Sequence, residues 1–198
     1  MYIYSVYSIP SSRFGLRGRG IGGTGGRRSR AGRGVASSSA LRVVRSAVND
    51  SQRGDFLRRV RELLDSQRIG VLGSRFEGAP HLSLVAFAVS DDLREIIFAS
   101  PSATRKVAAI LADPCVTLLV DDRRNLGSDL AGGIALTVTG IAEPITAAGS
   151  SAVVSRYLGR HPGLASFVAS PSCRFFRIRV RRCSLVSRFQ EVEELTME

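Results

Sequence analysis

The sequence is poor in the residues that build metal sites and disulfide scaffolds. Its 198 residues include three cysteines, two histidines and no tryptophan. The cysteines, Cys115, Cys173 and Cys183, form no CxxC pair, and an odd number cannot close a disulfide framework. We therefore expect no disulfides, a reducing compartment and no metal site.

Long hydrophobic runs are absent as well. No uninterrupted apolar stretch approaches the roughly twenty residues that a helix needs to cross a bilayer. We expect a soluble, cytoplasmic protein that does not contact membranes. If residues 1–50 are a transit peptide, the compartment would instead be an organellar stroma or matrix.

Acidic residues are almost missing from residues 1–50, where nine arginines face the single acid Asp50. This segment is rich in glycine and serine, and its apolar content is too small to offset the entropy lost on ordering. We predict a disordered basic tail over residues 1–50. The tail is a transit peptide, a non-specific nucleic-acid contact or an extension without function.

Beyond the tail the charges are nearly balanced, because residues 51–198 hold 19 of the 28 basic and 16 of the 17 acidic residues. A chain of this length can bury a substantial core without metals or disulfides, so residues 51–198 are predicted to form one folded domain. Its first element is an amphipathic helix, since five apolar residues recur on one helical face. They are Phe56, Leu57, Val60, Leu63 and Leu64.

Short segments rich in Val, Ile, Leu and Phe, each bounded by turn residues, predict seven strands. They cover residues 69–76, 81–89, 96–99, 115–120, 134–145, about 176–181, and 183–189. Gly140 predicts a bulge or bend in the fifth strand. Two helices are predicted over residues 103–112 and about 147–158, and a polar loop over residues 121–133.

The connections between the early strands are short hairpins. Parallel strands would need crossovers of a dozen or more residues, and the turns at 77–80 and 90–95 are too short for that. We therefore predict a mainly β fold with some α (α+β), in which an antiparallel sheet closes on itself and carries helices at its ends.

The segment from Ser100 to Lys106 carries the densest set of anion-binding groups. It leaves a strand, turns and begins a helix, so free backbone N–H groups, hydroxyls and two cations converge there. Lys106 is the only lysine among the 28 basic residues, which fits a site that needs an ammonium group. We predict a phosphate site here. The alternative is that Ser102 merely caps the helix and that Arg105 and Lys106 are solvated.

The order of these elements and several local sequences resemble the pyridoxamine 5'-phosphate oxidase-like family of FMN-binding split barrels. The most specific piece is Thr104-Arg105-Lys106, followed by a helix and then Asp113-Pro114. The similar stretches are residues 68–74, 80–87, 97–106, 113–120, 135–140, 170–180 and 186–190. The resemblance extends over about residues 55–195 and implies an antiparallel split β-barrel with flanking helices.

The resemblance also implies a flavin site on particular residues. Thr104, Arg105 and Lys106 would hold the phosphate of FMN, and Ser100 would meet its ribityl or phosphate end. The ring would lie along the backbone of four strand residues. These are Ser83, Leu84, Val85 and Ala86.

Proteins of this family are homodimers with the flavin in the groove between subunits. The resemblance therefore implies a homodimer in which the partner directs residues 125–129 or 134–138 toward the ring. No nucleic-acid partner is expected for the barrel.

The sequence departs from the oxidase itself at two places. Ala135 stands five residues before Gly140, where the oxidase has a glutamine, and the oxidase's C-terminal tryptophan has no counterpart. We therefore predict an FMN-dependent oxidoreductase acting on an unidentified small molecule, and not the oxidase. The alternatives are a flavin-free barrel that binds haem, or nucleic acid through its tail, and a barrel that uses a deazaflavin.

Some polar residues allow a structural or a functional interpretation. His81 either borders the ring or is an ordinary strand residue, whereas His161 is interpreted as a turn residue. Residues 191–194 are interpreted as a charged terminus. The alternating arginines are either a nucleic-acid contact or the solvated face of a strand, and they are Arg177, Arg179 and Arg181.

Overall fold

The computed structural model describes residues 43–44, 49–146, 150–187 and 191–197. Most of the predicted basic tail lies outside these ranges. Residues 41–198 form one compact unit by their internal contacts. Two residues of the segment predicted as the tail form a strand of this unit, and the first helix begins at Asp50.

The unit contains eight strands, five helices and one 3-10 turn in its described part. The strands are β1 (Val43–Val44), β2 (Ile69–Phe76), β3 (Ala79–Val89), β4 (Glu95–Pro101), β5 (Cys115–Asp121), β6 (Ala135–Pro144), β7 (Cys173–Ser187) and β8 (Glu191–Thr196). The helices are α1 (Asp50–Ser66), α2 (Arg105–Ala112), α3 (Asp129–Gly132), α4 (Ser150–Arg160) and α5 (Ala165–Val168), with the 3-10 turn at Pro162–Leu164. No helix in the described residues is long and apolar enough to span a membrane.

Six strands close into an antiparallel barrel in the order β7, β4, β3, β2, β5, β6, and β6 pairs back onto β7. The closure depends on the 15 residues of β7. Its first half pairs with β4, its second half pairs with β8, and β6 lies along its other side. This architecture confirms the predicted α+β fold and split barrel.

The barrel interior is filled by the side chains that face inward, which are every second residue along each strand. Leu72 of β2 is opposite Leu118 of β5, which is opposite Val138 of β6, and all three are buried. The apolar stripe of α1 joins the same core through Val60 and Leu64, as its helical spacing predicts. On the outside of the barrel, a second cluster packs α4 against β3 and β4, and its buried members are Ala88, Ile97, Ala99 and Tyr157.

Several predicted boundaries need correction. The two strands predicted at about 176–181 and at 183–189 are one strand, β7, because a bulge and not a turn separates them. Val180 is opposite Gly140 and Arg182 is opposite Thr139, so Arg181 is the extra residue. The irregularity falls at Gly140, where a bulge or bend was predicted, but the extra residue lies on β7 and not on the strand that carries Gly140.

Charged and polar segments account for the other differences. Residues 191–194 are not a charged terminus but part of β8, where Glu193 binds Arg59 of α1 at 2.5 Å. The short helix α3 interrupts the polar loop predicted over residues 121–133. A strand at the outer part of a sheet tolerates charge because only one of its faces packs.

Gly140 is predicted to be indispensable for barrel closure. A Cβ atom at this position would lie 2.2 Å from the carbonyl oxygen of Arg179. We expect Gly140→Ala to lower the free energy of unfolding by about 3 kcal/mol, since overpacking against backbone cannot be relieved by a rotamer change. Urea unfolding followed by circular dichroism measures this change.

Gly159→Ala in α4 is the matched control, because a Cβ atom there meets nothing within 4 Å. It should leave stability unchanged or raise it by roughly 0.5–1 kcal/mol through helix propensity. Equal unfolding midpoints for Gly140→Ala and the unsubstituted protein would contradict the predicted role of the bulge.

Candidate functional site

The junction between β4 and α2 brings three of the predicted site residues together. Ser100 is completely buried at the end of β4. Its Oγ accepts a hydrogen bond from Lys106 Nζ at 3.2 Å and lies 3.1 Å from Thr104 Oγ1. Thr104 Oγ1 also donates to the carbonyl of Pro101 at 3.1 Å. The hydroxyls and the ammonium thus form one connected cluster.

The first turn of α2 has backbone N–H groups without a capping side chain. Thr104 is the N-cap residue, but its hydroxyl makes no capping bond because it is directed toward Pro101. The alternative in which Ser102 caps the helix is wrong, since α2 begins at Arg105 and the Ser102 N–H donates to Ser172 O. An uncapped helix start with its positive dipole end favours an anion.

Lys106 is held in this cluster without a negative partner. Among the residues that the structure describes, no carboxylate lies within 4 Å of its ammonium. Burial lowers the pKa of Lys106 because water is partly excluded from the charged group. An anion at this point would restore the favourable environment that the ammonium lacks. Arg105 lies exposed beside it on the same helical turn.

The barrel is split next to this cluster. β3 pairs with β2 along the full length of β2, but it pairs with β4 only from Phe87 to Val89. The Phe87 N–H is directed to Arg68 O on the β2 side. Because backbone groups alternate along a strand, those of Leu82, Leu84 and Ala86 are directed across the split. An unpaired strand edge therefore faces the end of β4.

The four predicted ring-lining residues lie on this unpaired edge, with side chains on alternate faces. Val85 is buried in the barrel core, and the Ser83 hydroxyl is buried on the same face. Leu84 is exposed on the outer face, where Ala86 packs at the margin of the α4 cluster. Extending the β3–β4 register beyond Phe87 places Val85 opposite Ser100. The segment and the anion cluster thus flank one split.

Other candidate residues have structural partners. His161 directly precedes the 3-10 turn, in agreement with its interpretation as a turn residue, but it is buried: its Nε2 lies 2.8 Å from the Phe87 carbonyl, and burial lowers its pKa. Arg177 and Arg179 form ion pairs of 3.0 Å with Glu95 and Glu143 on the neighbouring strands. This arrangement favours the solvated strand face over a nucleic-acid contact.

His81 and the cysteines do not join the anion cluster. His81 is directly opposite Ser74 on the β2–β3 hairpin, and its ring lies 6.3 Å from that of Phe76. The three cysteines are free. In the described ranges, no group of three or more His, Cys, Asp or Glu side chains could hold a metal ion.

The sequence analysis did not identify Ser74 as a site residue. It is 8% exposed on the inner face of β2, and its Oγ finds no hydrogen-bond partner in the described part of the chain. The alternation in β2 was available as a signal, because Leu72 and Ser74 must share the inward face. A serine at a core position of a strand is a polar group that needs an explanation.

A family comparison agrees with this geometry. The profile described as pyridoxamine 5'-phosphate oxidase matches residues 56–187, from the core of α1 to the end of β7. The chain belongs to the pyridoxamine 5'-phosphate oxidase family. No curated protein matches the chain.

Solved structures show the same barrel at low sequence identity. A haem-binding protein from Mycobacterium smegmatis has a TM-score of 0.62 and 18% identity over 69% of this chain and 55% of its own. An FAD-binding protein from Mesorhizobium loti has a TM-score of 0.53 and 20% identity over 64% of this chain and 91% of its own. This chain therefore spans about half of the first protein and nearly all of the second.

A third structure carries a description from the oxidase family. It is a Clostridium acetobutylicum protein related to general stress protein 26 of B. subtilis, described as of the pyridoxinephosphate oxidase family. Its TM-score is 0.59 at 16% identity, over 72% of this chain and 95% of its own. At these identities the likeness establishes the fold of the family.

The environment of Lys106 leads to a chemical prediction. As the only lysine in the sequence, it is the only side chain that an amine-acylating reagent should modify. The pH midpoint of acylation at Lys106 should lie below the ordinary pKa of 10.5, because burial disfavours the ammonium. Inorganic phosphate should shift the midpoint upward, since an anion stabilises the charged form. Mass spectrometry of the modified peptide measures both.

The N-terminal amine is an internal control, and phosphate should not change its midpoint. A Lys106 midpoint at or above that of a fully solvated lysine peptide, unchanged by phosphate, would contradict the proposed environment.

Proposed function

We propose that the chain is a homodimeric FMN-binding flavoprotein, an oxidoreductase acting on a small molecule. The observation that carries the proposal is the head of α2, where an uncapped helix start meets the ammonium of Lys106 and the hydroxyls of Ser100 and Thr104. Family membership supports the same proposal.

The residues present fit a phosphate monoester. A dianion at the head of α2 would accept charge-assisted hydrogen bonds from Lys106 and Arg105 and further bonds from Thr104 and from backbone N–H groups of the first helical turn. Among the described residues, the cluster of Ser100, Thr104 and Lys106 supplies donors and no carboxylate, as a doubly negative group requires. Without an anion, Lys106 donates to the Ser100 hydroxyl instead.

The unpaired edge of β3 fits the ring of a flavin. An isoalloxazine ring has polar groups along one edge, and among the described residues the N–H and C=O groups of Leu84 have no strand partner across the split. Backbone hydrogen bonds from this edge would orient the ring without any particular side chain. The exposed side chain of Leu84 offers an apolar contact beside the ring.

The chemistry of such a site comes from the cofactor. When bound, a flavin transfers electrons and hydride, and the protein supplies binding, orientation and control of access. Here Lys106 and Thr104 would fix the phosphate end, and β3 would fix the ring. No side chain of the described residues needs to act as an acid or base.

The anion cluster favours FMN over haem. Haem is usually held by an axial side-chain ligand, and His161 is already engaged with the Phe87 carbonyl inside the fold. A deazaflavin phosphate would meet the same donors as FMN. Identification of the ligand that copurifies with the protein distinguishes these cofactors.

The homodimer is supported by an uncovered apolar face. Ile69 of β2 and Leu82 and Leu84 of β3 are more than half exposed. The strand register places all three on the outer face of the hairpin, beyond the part that α4 covers. Contiguous apolar side chains on a strand face are typical of protein interfaces. A second copy of the chain would cover them by twofold symmetry.

Removing the cations should weaken FMN binding. We expect Arg105→Ala and Lys106→Met each to reduce affinity by about 1.5–3 kcal/mol, roughly ten- to a hundredfold, because each removes a charge-assisted bond to phosphate. Quenching of flavin fluorescence during titration measures the dissociation constants.

The control for charge is Arg58→Ala on α1, where the arginine pairs with Glu62 on an exposed helical face. It should bind FMN as the unsubstituted protein does. Superimposable titration curves for Lys106→Met and the unsubstituted protein, or no FMN uptake by the latter, would overturn the assignment.

A charge on the apolar face should dissociate the dimer. We expect Ile69→Glu to sediment as a monomer, because the substitution would bury two carboxylates at a symmetric interface. Leu111→Glu on the exposed side of α2 is the control and should remain a dimer. Sedimentation velocity measures the state of each protein. A monomeric unsubstituted protein would contradict the predicted homodimer.

A further inference from the structure

Two buried hydroxyl groups of the β2–β3 hairpin have no hydrogen-bond partner in the described residues. They are Ser74 Oγ and Ser83 Oγ, and neither is bonded to the other. Buried hydroxyls are almost always satisfied, and one that is not destabilises the folded state. The other serines buried on this side of the fold differ: Ser90 and Ser100 both have partners.

Both hydroxyls lie on the face that points into the barrel. Ser83 is opposite Leu72, which is fully buried, and Ser74 is opposite His81 two positions along. Residues paired across antiparallel strands share a face, and so do alternate residues of one strand. Ser74 and Ser83 are therefore diagonal neighbours on the inner face.

This face continues across the split to the anion cluster. Phe87 is opposite Phe98 on the inner face, and alternation along the two strands puts Val85 and Ser83 of β3 and Ser100 of β4 on that same face. Ser83 and Ser100 therefore point to the same side from opposite edges of the split. α2 packs against β2, which places the helix beside the strand that carries Ser74. The two hydroxyls extend the polar lining from the head of α2 inward.

We propose that Ser74 and Ser83 are cofactor-binding residues that hydrogen-bond the hydroxylated chain joining the phosphate of FMN to its ring. The inference rests on the proposed function and adds the recognition of this middle part of the ligand. Ser83 lies on the strand whose edge would line the ring, and its side chain shares the inner face with Ser100 of the anion cluster. A serine hydroxyl both donates and accepts, as the hydroxyls of a polyol chain do.

Binding in this manner requires the split to widen. The two oxygens are shielded from solvent in the ligand-free form, so β3 and the residues at 101–104 must move apart to admit the chain. No strand ladder opposes this movement, because the pairing of β3 with β4 ends at Phe87. The hydroxyls lack partners in the closed form and gain them in the bound form.

Serine-to-alanine substitutions test this inference. Loss of the hydroxyl should weaken the FMN-bound form but should not destabilise the ligand-free form. Ser74→Ala and Ser83→Ala should each weaken FMN binding by about threefold to tenfold, the effect of one net hydrogen bond. Neither should lower the thermal unfolding midpoint of the ligand-free protein, since each removes an unsatisfied group. Riboflavin, which has the same chain without phosphate, should lose affinity by the same factor. Lys106→Met should affect FMN and leave riboflavin unchanged.

Ser90→Ala is the matched control. Ser90 is equally buried, but its Oγ donates to Asp92 and accepts from the Glu95 N–H. This variant should lower the unfolding midpoint and leave FMN affinity unchanged.

The outcomes separate the two proposals. FMN binding by the unsubstituted protein with unchanged affinity in Ser74→Ala and Ser83→Ala overturns the serine contacts and leaves the proposed function standing. Equal weakening by Ser90→Ala would also overturn them, because it would indicate a general effect of packing. Absence of FMN binding by the unsubstituted protein overturns the proposed function together with this inference.

Discussion

The early end of the pairing between β3 and β4 determines how the rest of this protein is organised. If the ladder continued beyond Phe87, β3 would cover the end of β4, and the backbone N–H and C=O groups of Leu84 would be hydrogen-bonded within the sheet. Instead β4 continues alone beside β7 as far as Pro101. The chain can then turn into α2 at the gap. One missing set of strand hydrogen bonds thus creates the unpaired edge, the helix start and the space between them.

The cluster at this gap contributes little to the stability of the ligand-free fold. Within the described part of the chain, Lys106 loses hydration without gaining a carboxylate, and its ammonium donates to the Ser100 hydroxyl, an acceptor that a neutral donor could also use. The hydroxyls of Ser74 and Ser83 likewise find no hydrogen-bond partner among the described residues. Stability comes from elsewhere, namely the closed core of the barrel and the anchoring of α1 and α4. There Arg160 donates to the carbonyls of Leu64 and Gln67 at the end of α1. Groups that are costly in isolation are concentrated where a ligand would supply partners.

Local patterns in the sequence were sufficient to predict the strands, helices and turns that neighbouring residues specify. The strands over residues 69–76 and 115–120, the helical stripe through Val60 and the turn after Val89 follow from neighbouring residues alone, and the structure confirms them. The contacts between Ser100, Thr104 and Lys106 were also predictable, because all lie within seven positions of one strand–turn–helix segment.

Features that depend on contacts between residues far apart in the sequence could not be predicted from local patterns. The acidic segment of β8 is stabilised by Arg59, more than a hundred positions away. The bulge at Arg181 depends on the close approach of Gly140 from another strand. The unsatisfied state of Ser74 depends on what packs around it. The sequence therefore predicted the cluster at α2 but not its inward continuation.

The parallel pairing of β1 with β8 has a consequence for the basic segment that precedes it. Val43 and Val44 lie beside Val192 and Glu193 and cover the outer edge of the sheet. A protease that removed all of residues 1–50 would strip that edge and expose open backbone groups, the usual starting point for association of sheets between molecules. Val43 and Val44 therefore belong to the sheet of the folded unit, although they lie within the segment that composition alone assigns to the basic tail.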